Sequence, residues 1–251
     1  MRRCAAWMLI AFVCSSCGST SAPAPGVVPA GPGQGVLFVG NSLTFANDLP
    51  GLVHLLTAAV GHDVPTAMVA KPDFNLADHL SQGDAPRSIA TGGWRVVVLQ
   101  QGPSSLAEGR VLLRRWTSSF DEKIRAVGAR TALFSVWAES TRTSAFWDVA
   151  ESYSLAASDV GGIYLPATQA WLEAWYRDPS LQLYAADGYH PSQQGTYLSA
   201  LVIAGVLTGV SPESMPGRVV WPSGGDLTIP EPAANVLRAA AAAAIASSAR
   251  P

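Results

Sequence analysis

Charge is scarce in this chain. Asp, Glu, Lys and Arg make up 14% of 251 residues, and no basic run or patch stands out. Nucleic-acid binding needs clustered Lys and Arg to neutralise phosphates, so no nucleic-acid partner is expected. Cysteine is scarcer still. Cys4, Cys14 and Cys17 all lie at the N-terminal end, and nothing after Cys17 can form a disulfide or a cysteine metal site. The 4 His residues show no second ligand pair at a convincing metal spacing, so neither a metal nor a cofactor is expected. No internal repeat is evident. Apolar residues, by contrast, reach 49%. The chain can bury a substantial core, which excludes disorder for most of its length.

The N-terminus reads Met-Arg-Arg, then the apolar run Ala5 to Val13, then the small residues "CSSCGS". That is the layout of a secretory signal, and the run is too short for a permanent membrane span. Removing residues 1–16 takes away Arg2 and Arg3, so the net charge moves from -2 to about -4 by simple counting. The segment resembles a bacterial lipoprotein box. Ser15 and Ser16 precede Cys17, and the resemblance implies lipidation at Cys17. Cys14 stands where that box usually has an aliphatic residue. Ordinary secretion with cleavage nearby is the alternative. The next stretch, "GSTSAPAPGVVPAGPGQG", has no apolar period and reads as a flexible linker over 17–34. The expected location is extracytoplasmic, with membrane contact only through a lipid anchor.

From Val36 onward, apolar β-rich runs alternate with helical stretches. The strand candidates are Val36–Val39, Thr66–Ala70, Arg95–Gln100, Thr131–Val136 and Gly162–Leu165. Near-continuous apolar runs mark strands covered on both faces. Helices are expected over Leu49–Val60, Leu76–Gln82, Leu106–Val127, Ser144–Ala157, Ala167–Tyr176 and Ser192–Leu207, with an Ala-rich one over Ala233–Ser248. This order predicts one α/β domain over 35–251: a three-layer α/β/α sandwich on a five-stranded, mainly parallel sheet.

Ligands bind beyond the carboxyl ends of such strands. The first ends in Gly40-Asn41-Ser42, the second leads into "KPDFNLADH", and the third ends in "LQQGPSS". After the fifth strand and its helix comes "DGYHPS". Asp187 can accept from Nδ1–H of His190 three residues on, freeing Nε2 to take a serine proton. A serine alone is a poor nucleophile and needs such a base. Ser42, His190 and Asp187 supply the three roles if the fold joins the strand ends. Taken alone, Ser42 reads as a turn or cap serine.

These blocks resemble the SGNH/GDSL-type hydrolases. "FVGNSLT" is similar to that family's first block and "DGYHPS" to its last, in the family's chain order. The resemblance implies a flavodoxin-like SGNH hydrolase fold and a catalytic triad of Ser42, Asp187 and His190. It also implies an oxyanion hole. The family usually has a Gly after strand two, where this chain reads "KPDFNL", so a backbone N–H of Asp73, Phe74 or Asn75 is the substitute. Where the family usually reads Gly-x-Asn-Asp, this chain has "LQQGPSS", similar to sialate O-acetylesterase relatives. Gln100 or Gln101 is then the side-chain donor, with Gln101 favoured because it precedes Gly102.

The implied activity is a serine esterase acting on a small-molecule or carbohydrate ester, with short acyl groups on a sugar as the substrate class. A glycan-binding surface protein and an acyltransferase using the same triad are the alternatives. His79 could line the site, but reads first as a surface or capping residue, and His54 and His62 read as structural. Glu139 and Arg142 follow strand four and could meet substrate, although charged loop residues are solvated by default. Trp137 and Trp147 lie near the same edge and fit core packing as well as sugar stacking. The sequence sets no oligomeric state.

Overall fold

The apolar runs become the strands of a parallel sheet. The computed structural model describes residues 33–248. The signal segment, Cys17 and most of the linker lie outside them. β1 is Gly35–Gly40, β2 Thr66–Ala70, β3 Trp94–Leu99, β4 Arg130–Phe134 and β5 Ile163–Leu165. They pair in parallel in the order β2-β1-β3-β4-β5. β1 is buried at every position, which is why its sequence does not alternate.

The helices are α1 Ser42–Phe45, α2 Leu49–Ala59, α3 Leu76–Gln82, α4 Asp84–Ala90, α5 Ala107–Ala126, α6 Phe146–Asp159, α7 Ala167–Arg177, α8 Gln193–Thr208 and α9 Glu231–Ser248. α2, α7, α8 and α9 pack together as one layer, and α3 to α6 form the other. The three-layer expectation holds. α8 is buried from Gly195 to Leu207 because neighbouring helices and the sheet enclose it. A helix enclosed on all sides has no polar face to show, hence its apolar run.

Two features differ from the sequence reading. After β2 the structure has two helices, α3 and α4, meeting at Gly83. Between α8 and α9 lies an antiparallel hairpin, β6 Arg218–Val220 and β7 Asp226–Thr228. Three-residue strands are too short to establish a period.

The strand order positions the site. The crossover after β1 leads to β2 on one side, and the chain then returns to lay β3 on the other. This reversal opens a crevice at the carboxyl ends of β1 and β3. Ser42 follows the first and Gln100 the second, so residues 58 apart in sequence become neighbours across one gap.

The sheet core should carry the stability. Leu133 on β4 is 0% exposed. Leu133→Ala is expected to cost about 2–5 kcal/mol in urea unfolding with an unchanged m-value. A loss below about 1 kcal/mol would contradict this placement of the core.

Candidate active site

The turn after β1 is built by Asn41. Its backbone is extended (φ -125, ψ -153), and its side chain caps α1 by accepting from Leu43 N–H at 3.1 Å. Its carbonyl accepts from the N–H groups of Thr44 (2.9 Å) and Phe45 (3.1 Å). Helix starts leave N–H groups without intrahelical partners. Asn41 satisfies those of Leu43 and Thr44, and its carbonyl accepts the first helical bond from Phe45. Among the described residues, no acceptor faces the N–H of Ser42.

A buried amide locks this turn to β3. Gln100 is 0% exposed. Its Oε1 accepts from Asn41 N–H (2.9 Å) and from the Thr44 hydroxyl (2.7 Å). Its Nε2 donates to Asn41 Oδ1 (2.9 Å) and to the Gln101 carbonyl (2.5 Å). Both lone pairs and both hydrogens are thus committed. Gly40 permits the arrangement, because a Cβ there would lie 2.3 Å from Thr44 Oγ1 and 2.4 Å from Gln100 Oε1.

The "DGYHPS" loop arrives from the far end of the chain. Asp187 Oδ1 accepts from the N–H groups of Tyr189 (3.0 Å) and His190 (2.9 Å). Its Oδ2 accepts from His190 Nδ1 at 2.6 Å, and His190 Nε2 stands 2.9 Å from Ser42 Oγ. The hydrogen bond from His190, then that from the Tyr189 backbone, holds the Asp187 carboxyl down at about 2. The carboxylate is half exposed, so water screens part of its pull on the imidazole.

Three contacts hold this loop in place. The Trp137 indole N–H donates to the Tyr189 carbonyl at 2.8 Å. Ser140 N–H donates to the Gly188 carbonyl at 2.9 Å. The Asn47 side chain, just past Ser42, donates to the Pro191 carbonyl (3.0 Å) and to Thr196 Oγ1 (2.9 Å). Gly188 has φ +68, and a Cβ there would lie 2.3 Å from Ser140 Oγ. Trp137 is fully buried and stacks on Trp171 at 3.8 Å between ring centroids, so it supports the loop and offers no face to a sugar.

The expected oxyanion donors fare differently. Gln100 has no free amide hydrogen, so it cannot take that role. Phe74 N–H donates to the Lys71 carbonyl at 3.3 Å, and Asn75 N–H to Asp78 Oδ2 at 2.9 Å, so both are used within their own loop. Pro72 and Asp73 form the corner of that turn. Asp73 has φ +60, a left-handed position that Asp tolerates better than most residues. Gln101 remains. It is 5% exposed, its Oε1 accepts from Leu76 N–H (3.3 Å), and its Nε2 donates one hydrogen to Ser104 Oγ (2.9 Å). Its backbone is pinned by the buried Tyr153 hydroxyl, which accepts from Gln101 N–H at 3.1 Å and lies 2.6 Å from the Gln101 carbonyl. Burial raises the Tyr153 pKa and keeps the hydroxyl protonated.

His79 is not on the surface. It is 1% exposed, with Nε2 at 2.8 Å from the Gly40 carbonyl. Sequence reasoning missed it because "ADHL" starts a short helix whose register was unknown. Trp147 is 66% exposed on the outer side of α6. Beside Tyr189 a cleft of about 370 Å³ opens, lined among others by Ser104, Leu106, Leu112, Glu139 and Arg142. Its volume is in the range of small-ligand sites. Among the described residues, no cluster of three or more His, Cys, Asp or Glu could hold a metal.

Burial lowers the pKa of His79, against the opposing hydrogen bond to Gly40; Lys71 lowers it further, and Asp78 and Asp84 raise it. The unfolded chain takes up a proton near the ordinary value of 6.5 while the folded domain resists it. Stability from this group is therefore complete above 6.5 and declines as pH falls below it. His79→Gln should shrink the drop in Tm between neutral and mildly acidic buffer. An unchanged drop would remove His79 as its source.

No protein-family model and no curated protein matches the chain. Solved structures do. A protein of Slackia heliotrinireducens assigned to the SGNH hydrolases is 27% identical with a TM-score of 0.56, covering 69% of this chain and 98% of that one. A DUF4886 family protein of Bacteroides uniformis is 18% identical with a TM-score of 0.67, covering 86% and 96%. An acetylxylan esterase of Geobacillus stearothermophilus is 13% identical with a TM-score of 0.51, covering 70% and 93%. At such low identity the latter two show the shared fold alone. In its five-stranded fold, in the order of its first and last blocks and in its likeness to the Slackia protein, the chain is similar to the SGNH/GDSL-type hydrolases and shares their fold.

Proposed function

We propose that this domain is a serine esterase that removes short acyl groups from carbohydrate through an acyl-enzyme. The observation that carries the reading is the unbroken line from Asp187 Oδ2 through His190 to Ser42 Oγ, at 2.6 and 2.9 Å. A hydroxyl in hydrogen-bond reach of an oriented imidazole can be deprotonated as it attacks. Ser42 Oγ bonds to the acyl carbon while His190 Nε2 takes its proton. The proton then passes to the leaving alkoxide, the ester C–O bond breaks, and the acyl group stays on Ser42. Water repeats the cycle and releases the carboxylic acid.

The carbonyl oxygen gains negative charge in each step, and fixed N–H donors stabilise it best. The Ser42 N–H and the second Nε2 hydrogen of Gln101 are the donors in this reading. Gln100 holds the turn instead. The cleft beside Tyr189 would take part of the substrate. The carbohydrate assignment draws on the acetylxylan esterase among the structural relatives and on the expected extracytoplasmic location. In that setting the linker would tether the domain at Cys17.

A panel of chromogenic esters of rising acyl length, together with acetylated xylo-oligosaccharides, tests the activity. Wild type should turn over acetyl esters best, Ser42→Ala and His190→Ala should lose at least about 1000-fold, and a fluorophosphonate should label Ser42. Absence of Ser42-dependent turnover and of the adduct would sink the reading.

Gln101→Ala should lower kcat by about 100- to 1000-fold with KM little changed, the pattern of a donor used only in the transition state. A rise in KM at constant kcat would assign Gln101 to ground-state binding.

A further inference from the structure

His79 is a buried imidazole that the proposed chemistry does not use. We propose that His79 and Gln100 are positioning residues that clamp the Gly40–Asn41 peptide group from its two ends and so set the attack geometry of Ser42. The inference rests on Ser42 being the nucleophile.

The Gly40 carbonyl and the Asn41 N–H belong to one planar peptide unit, pointing in opposite directions. The carbonyl accepts from His79 Nε2 at 2.8 Å and from Lys71 N–H at 3.2 Å. The N–H donates to Gln100 Oε1 at 2.9 Å. Only the two soft dihedrals of Asn41 separate this unit from Ser42, and the N-cap bonds of Asn41 restrain both. Tilting the peptide plane would therefore swing Ser42 Oγ relative to His190.

The clamp is needed because the ladder runs out here. Gln100 N–H still pairs with the Val39 carbonyl at 2.9 Å, as a strand partner would. One residue further on, the Gln100 side chain supplies the acceptor that a longer β3 would have provided. On the β2 side, His79 reaches back from α3. A nitrogen facing a carbonyl must carry the proton, so Nε2–H is the donor. Burial favours the neutral ring. The Phe74 ring meets His79 edge-on at 5.1 Å, and the Phe74 carbonyl accepts from Asn41 Nδ2 at 3.0 Å. The loop after β2 thus grips the turn at two points. Neither clamp residue touches the reacting oxygen, so each acts through position.

The test compares wild type, His79→Ala, His79→Gln and Leu237→Ala on an acetyl ester, with Tm measured for each. Leu237 is a fully buried residue of α9, away from the machinery, and serves as a control for lost stability. His79→Ala should lower kcat about 10- to 100-fold at unchanged KM, the scale of an ångström-sized misplacement. His79→Gln, which restores an N–H donor, should recover most of the loss. Leu237→Ala should lower Tm and leave kcat unchanged. Should His79→Ala not fold, Gln100→Leu reads the other jaw: an alkyl side chain offers no acceptor to Asn41 N–H, and kcat should fall at unchanged KM. Wild-type kcat in folded His79→Ala, or in Gln100→Leu, overturns the clamp alone. A kcat loss in Leu237→Ala equal to that of His79→Ala also overturns it. Wild type lacking Ser42-dependent turnover would overturn the nucleophile reading and the clamp with it.

Discussion

A parallel sheet holds its strands by ladders, and the ladders stop where chemistry begins. At the switch point between β1 and β3, the backbone of the turn carrying Ser42 leaves the sheet with no strand to pair with. Its polar groups still need partners, because the turn is buried. Gln100, Asn41 and His79 provide them from side chains, and the Thr44 hydroxyl in turn holds Gln100. The rest of the site is built outward from this solution. Ser42 stands where the turn puts it, and the Asn47 amide then ties the next segment to the loop carrying His190.

The two halves of the proposed triad are held by different physics. The Ser42 side is buried, and its turn is held by the side-chain hydrogen bonds of Gln100, Asn41 and His79. The His190 side is an exposed loop on a turn requiring a glycine, fastened by Trp137 and Ser140 to the segment after β4. Trp137 in turn is stacked in the core on Trp171. Rigidity is transmitted to an exposed imidazole through a buried aromatic pair. A half-exposed Asp187 can orient the ring through its short hydrogen bond, although water weakens its long-range field.

Much of this was legible beforehand, and the reasons are local. Apolar runs of four to six residues separated by helical patterns can only form a covered parallel sheet. Asp187 and His190 share one turn, so their pairing is written in their spacing. The oxyanion side was read less well. "LQQGPSS" offers two adjacent glutamines of the same chemistry, and strand alternation sends them to opposite sides. Only the partners of each amide distinguish the saturated Gln100 from Gln101 with a hydrogen to spare. His79 was hidden for a related reason. A histidine in a seven-residue helix reads as a surface group until packing shows which side faces the sheet.

The sequence by itself determined the fold class, the strand ends and the three residues that can form a triad, because each depends on short-range pattern and chain order. The tertiary structure alone decided which polar side chains are spent on holding the backbone and which keep a free hydrogen. That choice depends on long-range contacts. Gln100 reaches partners 56 and 59 residues away, besides the adjacent Gln101 carbonyl, and that of His79 lies 39 away. A hydrogen bond committed across such distances leaves no local trace in the residue that makes it.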